Sequence, residues 1–150
     1  MRFFRILFSL VLLALTACNT NNNEEQSLYI ISTNDMHASI EAMPRLATLV
    51  KEYEALGEVV VVDSGDRVTG NAYVDDDHRP GVPMIELMNQ IGYDVVTLGN
   101  HEFDKGRDVL NQMVEASDFQ WGCANMCDLK EDSKIKPYTR LDVAGIRLGI

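Results

Sequence analysis

The sequence predicts an α/β protein whose core is a parallel β-sheet. Short apolar runs alternate with segments whose apolar residues recur at helical spacing, which is the pattern of parallel strands joined by helices. Polar side chains able to bind metal ions directly follow the first three runs of the predicted sheet. The 150 residues are 46% hydrophobic and 24% charged, which is typical of a globular domain with a sizeable core.

The N-terminal residues predict a targeting segment that takes no part in the fold. Arg2 and Arg5 flank the start of an apolar stretch, 6–15, that is too short to cross a bilayer as a helix. Residues 15–18, Leu-Thr-Ala-Cys, resemble a bacterial lipobox, in which the cysteine becomes the lipidated first residue of the mature chain. The alternative is an ordinary secretory signal that contains a cysteine. We expect a lipoprotein of the bacterial cell envelope, facing the periplasm or the cell exterior and anchored to the membrane through Cys18.

Three regions follow from these observations. We expect a signal peptide at 1–17 and a flexible tether at 18–27, because residues 19–26 lack apolar side chains. The remaining residues, 28–150, form the predicted domain. Since the apolar run at 148–150 has no turn or cap after it, we expect this region to be the front part of a longer domain.

The first elements predict a strand–helix–strand unit. The apolar run Leu28–Ile31 predicts a strand, and Val59–Val62 predicts the next one. Between them, residues 44–56 predict a helix, and Pro44 suits its first turn because the amide proton that proline lacks is not needed there. One face of this helix carries apolar residues at helical spacing, namely Leu46, Leu49, Val50, Tyr53 and Leu56.

The same alternation continues along the chain. Apolar residues at helical spacing predict helices at 83–91 and 107–116. Short apolar runs predict strands at 94–98 and 119–123. Gly92 is a typical residue for ending the first of these helices. Residues 137–143 and 146–150, joined at Ala144-Gly145, predict a β-hairpin.

Polar residues gather where the first three strands are predicted to end. They are Thr33–His37 after the first strand, Asp63–Asp66 after the second and Gly99–Asp104 after the third. In open α/β sheets, ligands bind at the carboxyl ends of the strands. The sequence therefore predicts one site, built from three turns, at this edge of the sheet.

The first turn contributes a carboxylate and an imidazole. Asp35 and His37 are separated by one residue, so in an extended segment both side chains point the same way. Together they can hold a divalent ion of the Zn, Mn or Fe type. The alternative is a helix-capping aspartate beside a surface histidine.

The second and third turns predict the rest of the site. Asp63 suits a turn cap, whereas Asp66 is free to project into the cleft, where a carboxylate can bridge two metals about 3.5–4 Å apart. Asn100 offers a neutral carbonyl oxygen as a further ligand. Its neighbour His101 points elsewhere and is better placed to meet substrate, and Asp104 can hold that ring in its charged form.

Together these residues resemble the calcineurin-like metallophosphoesterase superfamily. Its hallmarks D-x-H, G-D and G-N-H-E/D occur in that order at 35–37, 65–66 and 99–102. Within the superfamily, the chain is similar to the bacterial 5′-nucleotidase/UDP-sugar hydrolase family over 28–150. The resemblance implies an α/β/β/α sandwich, of which this chain is only the front half.

The resemblance also implies a chemistry. It implies two divalent ions, of Zn, Mn, Fe, Co or a similar metal, held by Asp35, His37, Asp66 and Asn100, with Asp66 bridging them. His101 would stabilise the transition state or protonate the leaving oxygen, with Asp104 as its partner. The reaction implied is release of phosphate from a nucleotide, or from another small phosphoester, by water that the metals activate.

Two departures from the family pattern bear on these expectations. Ala38 stands where many relatives carry glycine, so the substrate side of the first loop is not defined. The family draws its remaining metal ligands, chiefly histidines, from a second half. We therefore expect the 150-residue segment alone to be inactive. His78 is the one histidine to which the resemblance assigns no role, and we expect its acidic loop to be exposed to solvent.

Other interpretations stay open at this point. The chain could be an inactive binding lipoprotein of the same fold, or a related cyclic phosphodiesterase or UDP-sugar hydrolase. Cys123 and Cys127 could form a disulfide or a zinc pair, as in a redox or zinc-handling protein, or remain free thiols. The net charge of −10 argues against a nucleic-acid polymer as the partner, because that would require a basic face.

Overall fold

The computed structural model describes residues 27–127, 129 and 131–150. The predicted signal peptide, Cys18 and the tether up to residue 26 lie outside the described residues. Within the described part of the chain, no helix combines the length and the apolar character that crossing a bilayer requires.

A five-stranded sheet forms the centre of the fold, and its strand order follows the chain order. Its strands are β1 (Leu28–Thr33), β2 (Glu58–Asp63), β3 (Val95–Thr97), β4 (Gln120–Gly122) and β5 (Ile135–Lys136). Every neighbouring pair is parallel. The predicted α/β class and parallel sheet are confirmed. A separate antiparallel hairpin joins β6 (Arg140–Val143) to β7 (Ile146–Gly149).

Among the residues that the structure describes, four α-helices and two short 3-10 helices (Ile40–Ala42 and His101–Phe103) connect the strands. The α-helices are α1 (Met43–Glu54), α2 (Ala72–Asp75), α3 (Val82–Ile91) and α4 (Arg107–Ala116). The three predicted helices are confirmed to within two residues at each end, with proline in the first turn of α1 and left-handed Gly92 after α3. The single-turn helix α2 was not predicted. The Asn71 side chain caps it by accepting a hydrogen bond from the amide of Tyr73.

The helices α1, α3 and α4 cover one face of the sheet. Right-handed crossovers between strands in sequential order place successive helices on the same side, and α3 contacts both α1 and α4. Tyr29 of β1 packs edge-on against Tyr53 of α1, with ring centroids 5.0 Å apart. Its neighbour Ile30 points to the opposite face and is 59% exposed. The main core therefore lies between the sheet and the helices.

The structure departs from the sequence prediction near residue 135. Ile135–Lys136 pairs with β4 as a fifth parallel strand, which was not predicted, and the first hairpin strand begins at Arg140 rather than at residue 137. A two-residue strand is too short to produce a periodic pattern. Pro137, which we placed inside a strand, lacks the amide proton that a sheet ladder needs.

The two described cysteines are free thiols. Cys123 is buried and its thiol donates to the side-chain oxygen of Asn125 at 3.2 Å, whereas Cys127 is exposed. Of the three interpretations, the structure therefore favours free thiols. His78 is exposed, and its Nδ1 lies 3.0 Å from Asp77, as expected for a solvated loop.

Candidate metal centre

Three loops meet at the carboxyl edge of the sheet, after β1, β2 and β3. The first two loops run side by side and are joined by backbone hydrogen bonds. The amides of Asp35, His37 and Ala38 donate to the carbonyls of Gly65, Asp66 and Arg67 at 3.0, 3.0 and 2.8 Å. This ladder fixes the position of His37 relative to Asp66.

The backbone of these loops is unusual. Left-handed conformations occur at five non-glycine residues, with φ between 45° and 68°: Asp35, His37, Ala38, Asp66 and Thr69. The segment after β1 is therefore a turn. Our premise that this segment is extended is wrong. Conformations of this kind cost energy and persist where the surrounding structure enforces them, often at functional sites.

Three side chains converge in this pocket. His37, Asp66 and His101 each offer one ligand atom, and these atoms all lie within 4.8 Å of one another. The two imidazole rings meet edge-on with centroids 4.8 Å apart. Two imidazoles and a carboxylate are a donor set that suits Zn, Mn or Fe, so the residues present fit a divalent metal.

Hydrogen bonds orient both imidazoles. Nδ1 of His37 lies 3.0 Å from the carbonyl oxygen of Thr69, which can only accept, so Nδ1 carries the proton and Nε2 is free to bind a metal. Nδ1 of His101 lies 2.7 Å from the carboxylate of Asp104, as the sequence predicted for this pair. The Nε2 atom of His101 is then its available nitrogen.

Close packing and a hydrogen bond fix the orientation of the Asp66 carboxylate. The backbone amide of His101 donates to Asp66 Oδ1 at 2.9 Å. A Cβ atom on Gly99 would lie only 2.1 Å from the same oxygen, and one on Gly65 would lie 2.4 Å from the Gly99 nitrogen. Only glycine at these two positions lets the second and third loops approach this closely.

Asp35 is not a member of this cluster of three residues. Asp35 is exposed, and its carboxylate accepts a hydrogen bond from the Asn34 side chain at 2.5 Å. Asn100 is exposed at the start of a 3-10 turn formed by residues 101–103. Their assignment as metal ligands stays a prediction, as does the choice between metal binding and acid catalysis for His101.

A buried ionic network lies beneath the pocket, and its two main members were not predicted from the sequence. Arg67 and Glu102 are almost completely buried. Arg67 Nε donates to Asp63 at 2.9 Å, and Glu102 accepts backbone hydrogen bonds from the second and third loops. Asp63 also caps its turn, as predicted, by accepting from the amide of Gly65 at 3.0 Å. An isolated arginine in a loop carries no periodic signal that would have identified it.

A second hydrogen-bond chain links the ends of the first two strands to Tyr93. Thr33 donates to Asp63 at 2.7 Å, so its one hydroxyl proton is used. Tyr93, whose oxygen is 2.9 Å from that of Thr33, therefore donates to it. Burial raises the pKa of Tyr93 to about 12, which keeps this donor protonated.

The His101–Asp104 pair has a measurable electrostatic consequence. The hydrogen-bonded Asp104 carboxylate raises the pKa of His101 above its usual range, and the imidazole lowers the pKa of Asp104. The imidazolium therefore persists to a higher pH than in an unpaired histidine. We expect Asp104→Asn to lower the His101 pKa, measured by NMR titration of the metal-free protein.

The control for this titration is Asp77→Asn, which removes the carboxylate beside His78 instead. It should leave the pKa of His101 unchanged. An equal pKa of His101 in the wild type and in Asp104→Asn would show that the carboxylate does not stabilise the charged ring.

The sequence is similar to those of known phosphoesterases and nucleotidases. A family model described as calcineurin-like phosphoesterase matches residues 28–143. The chain is 30% identical over 163 residues to a 5′-nucleotidase of Vibrio vulnificus, covering 96% of this chain and 29% of that protein. It is also 30% identical over 156 residues to a 2′,3′-cyclic-nucleotide 2′-phosphodiesterase/3′-nucleotidase of Salmonella typhimurium, covering 89% and 24%.

Solved structures agree with the sequence comparisons. A 5′-nucleotidase precursor from Thermus thermophilus superposes with a TM-score of 0.73 at 27% identity, covering 80% of this chain and 27% of that one. An NAD nucleotidase from Haemophilus influenzae gives 0.70 at 26% identity, covering 80% and 25%. The chain thus spans less than a third of the length of these relatives.

Proposed function

Because the chain belongs to the calcineurin-like phosphoesterase family, we propose that it carries part of the active site of a metal-dependent hydrolase that releases phosphate from nucleotides. Calcineurin-like phosphoesterases use divalent metals. The single observation that supports this proposal most is the convergence of His37, Asp66 and His101 at the carboxyl edge of the sheet. The 5′-nucleotidase relatives supply the substrate class.

We propose that Asp35, His37, Asp66 and Asn100 hold two divalent ions. When bound, such ions lower the pKa of water and polarise the phosphoryl oxygens. Asp66 would be shared by the two ions, and the amide of His101, which donates to its Oδ1, orients the carboxylate. The protein would hold these four side chains in position before the substrate binds.

We assign proton transfer to His101. Its ring is held through Nδ1 by Asp104, which favours the protonated form. A protonated imidazole can donate from Nε2 to the oxygen that leaves phosphorus, and its charge opposes the negative charge that develops there. Asp104 orients the ring and retains its own charge throughout.

A second candidate within the same chemistry is hydrolysis of cyclic nucleotides. The Salmonella relative, whose name includes a 2′,3′-cyclic phosphodiesterase activity, favours it as a specific alternative. UDP-sugar hydrolysis is a further option that the family resemblance implied. These reactions share a metal centre and differ in the group attached to phosphorus.

One experiment tests the proposal and ranks the candidates. The genome-encoded protein is freed of metal, reconstituted with Mn²⁺ or Zn²⁺, and assayed with AMP, UDP-glucose and 2′,3′-cyclic AMP. We expect metal-dependent hydrolysis that is fastest with AMP and is lost with a chelator. A protein that binds the metal and hydrolyses none of the three would support the inactive binding lipoprotein instead.

We also propose that the protein is a lipoprotein of the bacterial cell envelope. The basis is the lipobox-like sequence at 15–18. We expect a labelled fatty acid fed to cells to appear on the wild-type protein and not on Cys18→Ala, and we expect that variant to leave the membrane fraction. Cys127→Ala, which removes a thiol outside the lipobox, should retain the label. Labelling of Cys18→Ala would contradict the assignment.

A further inference from the structure

We propose that Arg67 is the positioning residue of the metal centre, acting with Glu102 to hold the second and third loops in register. This inference rests on the proposed function only in taking the pocket to be a metal site. Neither residue belongs to the convergent cluster of His37, Asp66 and His101. They act on the backbone that carries those three side chains.

The guanidinium of Arg67 ties together three adjacent strands. Nε and Nη2 lie 2.9 and 2.8 Å from Asp63 Oδ1, at the end of β2. Nη2 also donates to the carbonyl of Thr97, at the end of β3. The guanidinium carbon lies 4.7 Å from the centre of the Trp121 ring in β4. One side chain thus fixes the spacing of the strands from which the loops emerge.

Glu102 transmits this arrangement to the ligand loops. Its Oε2 accepts from the amides of Asp66 and Gly99 at 3.0 and 2.6 Å, and its Oε1 accepts from the amide of Arg67 at 3.0 Å. Two of these amides belong to the second loop and one to the third. The carboxylate therefore joins the backbone next to Asp66 to the backbone next to His101.

The charges explain why Arg67 is needed. Asp63, Arg67 and Glu102 are 3%, 0% and 1% exposed, so two carboxylates and one cation share a site closed to water. Nη1 of Arg67 has no hydrogen-bond partner and lies 3.7 Å from Glu102, so it acts on this carboxylate through charge alone. Without the cation, two buried negative charges would face each other uncompensated.

Small displacements in this region are enough to affect the ligands. Gly99 packs so closely on the Asp66 carboxylate that no Cβ fits between them. A metal site needs its ligands held to within about 0.5 Å of the productive geometry. A loop shift that leaves the fold intact therefore weakens metal binding.

Arg67→Lys is the informative variant, because lysine keeps the charge but lacks the planar fork that reaches both Asp63 and Thr97. We expect this variant to fold and to bind Mn²⁺ about 10–100-fold more weakly, as for other residues that support metal ligands. In the metal-free variant, hydrogen exchange at the amides of Asp66, residue 67 and Gly99 should accelerate. Amides of the β1–β2 ladder should keep their protection.

Met88→Ala is the matched control for general destabilisation. Met88 is fully buried near the end of α3, at the opposite edge of the sheet from the metal centre. We expect it to lower the melting temperature at least as much as Arg67→Lys does while leaving Mn²⁺ affinity unchanged. Arg67→Met, where it folds, should exceed Arg67→Lys in both its binding and its exchange effects.

The outcomes separate this inference from the proposed function. Wild-type Mn²⁺ affinity and wild-type exchange in Arg67→Lys would overturn the positioning role, as would an equal loss of affinity in Met88→Ala. Absence of hydrolysis by the wild type would instead contradict the proposed function. The exchange measurement does not depend on turnover or on bound metal, so it decides the role of Arg67 in either case.

Discussion

Replacing Asp66 by asparagine is expected to remove nearly all phosphoester hydrolysis from the genome-encoded protein while leaving its fold intact. The amide keeps the shape of the side chain and an oxygen that can accept from the amide of His101. It loses the negative charge that a carboxylate shares with bound cations. Since a metal site supplies several kcal/mol of transition-state stabilisation, we expect kcat to fall by about 10³-fold or more.

Metal content distinguishes this effect from a loss of folding. We expect elemental analysis of Asp66→Asn to show the loss of at least one metal equivalent, with a melting temperature near that of the wild type without metal. Asp142→Asn, which alters an exposed carboxylate paired with Arg147 on the hairpin, is the matched control and should retain metal and activity. Full metal content and normal turnover in Asp66→Asn would show that Asp66 does not bridge the ions.

Replacing His101 by alanine is the second change with a large expected effect. We expect turnover to fall by about 10²–10⁴-fold, because the variant lacks the group that donates a proton and opposes charge in the transition state. We expect metal occupancy to stay nearly intact. The position of His101 within the ligand cluster makes occupancy the decisive measurement.

Two further variants complete this test. Asn100→Ala is expected to lose metal, because the assignment gives the amide of Asn100 the ligand role. His78→Ala removes an exposed histidine outside the centre and should change neither turnover nor metal content. If His101→Ala loses metal and Asn100→Ala does not, the two roles are the reverse of those assigned.

The parts of this structure that follow from repeating patterns were predictable from the sequence. The apolar face predicted for α1 is correct in part: Val50 is buried and Leu46 packs against the core, whereas Leu49 and Leu56 are 40% and 66% exposed. The carboxyl edge of the sheet was identifiable because polar residues directly follow each of the first three apolar runs. His37 and Asp66 were found in this way.

The parts that depend on single contacts between distant residues were not predictable. Nothing in the sequence around Arg67 shows that Asp63 and Glu102 will enclose it, because Glu102 lies 35 residues further along the chain. The left-handed φ of 45° at His37 similarly accompanies the backbone ladder to the neighbouring loop, which joins residues about 30 positions apart. Tertiary contacts determine these features.

The sequential strand order also determines when the centre can assemble during synthesis. Each strand of the main sheet pairs with the strand made before it, so the sheet can grow strand by strand as the chain emerges from the ribosome. Pairing of β2 with β1 joins the His37 and Asp66 loops first. A nascent chain that ends before His101 lacks both the carboxylate that joins the loops and the third side chain of the cluster. We therefore expect the second loop to reach its final position only after β3 has docked and Glu102 has bonded to the amides of Asp66 and Gly99.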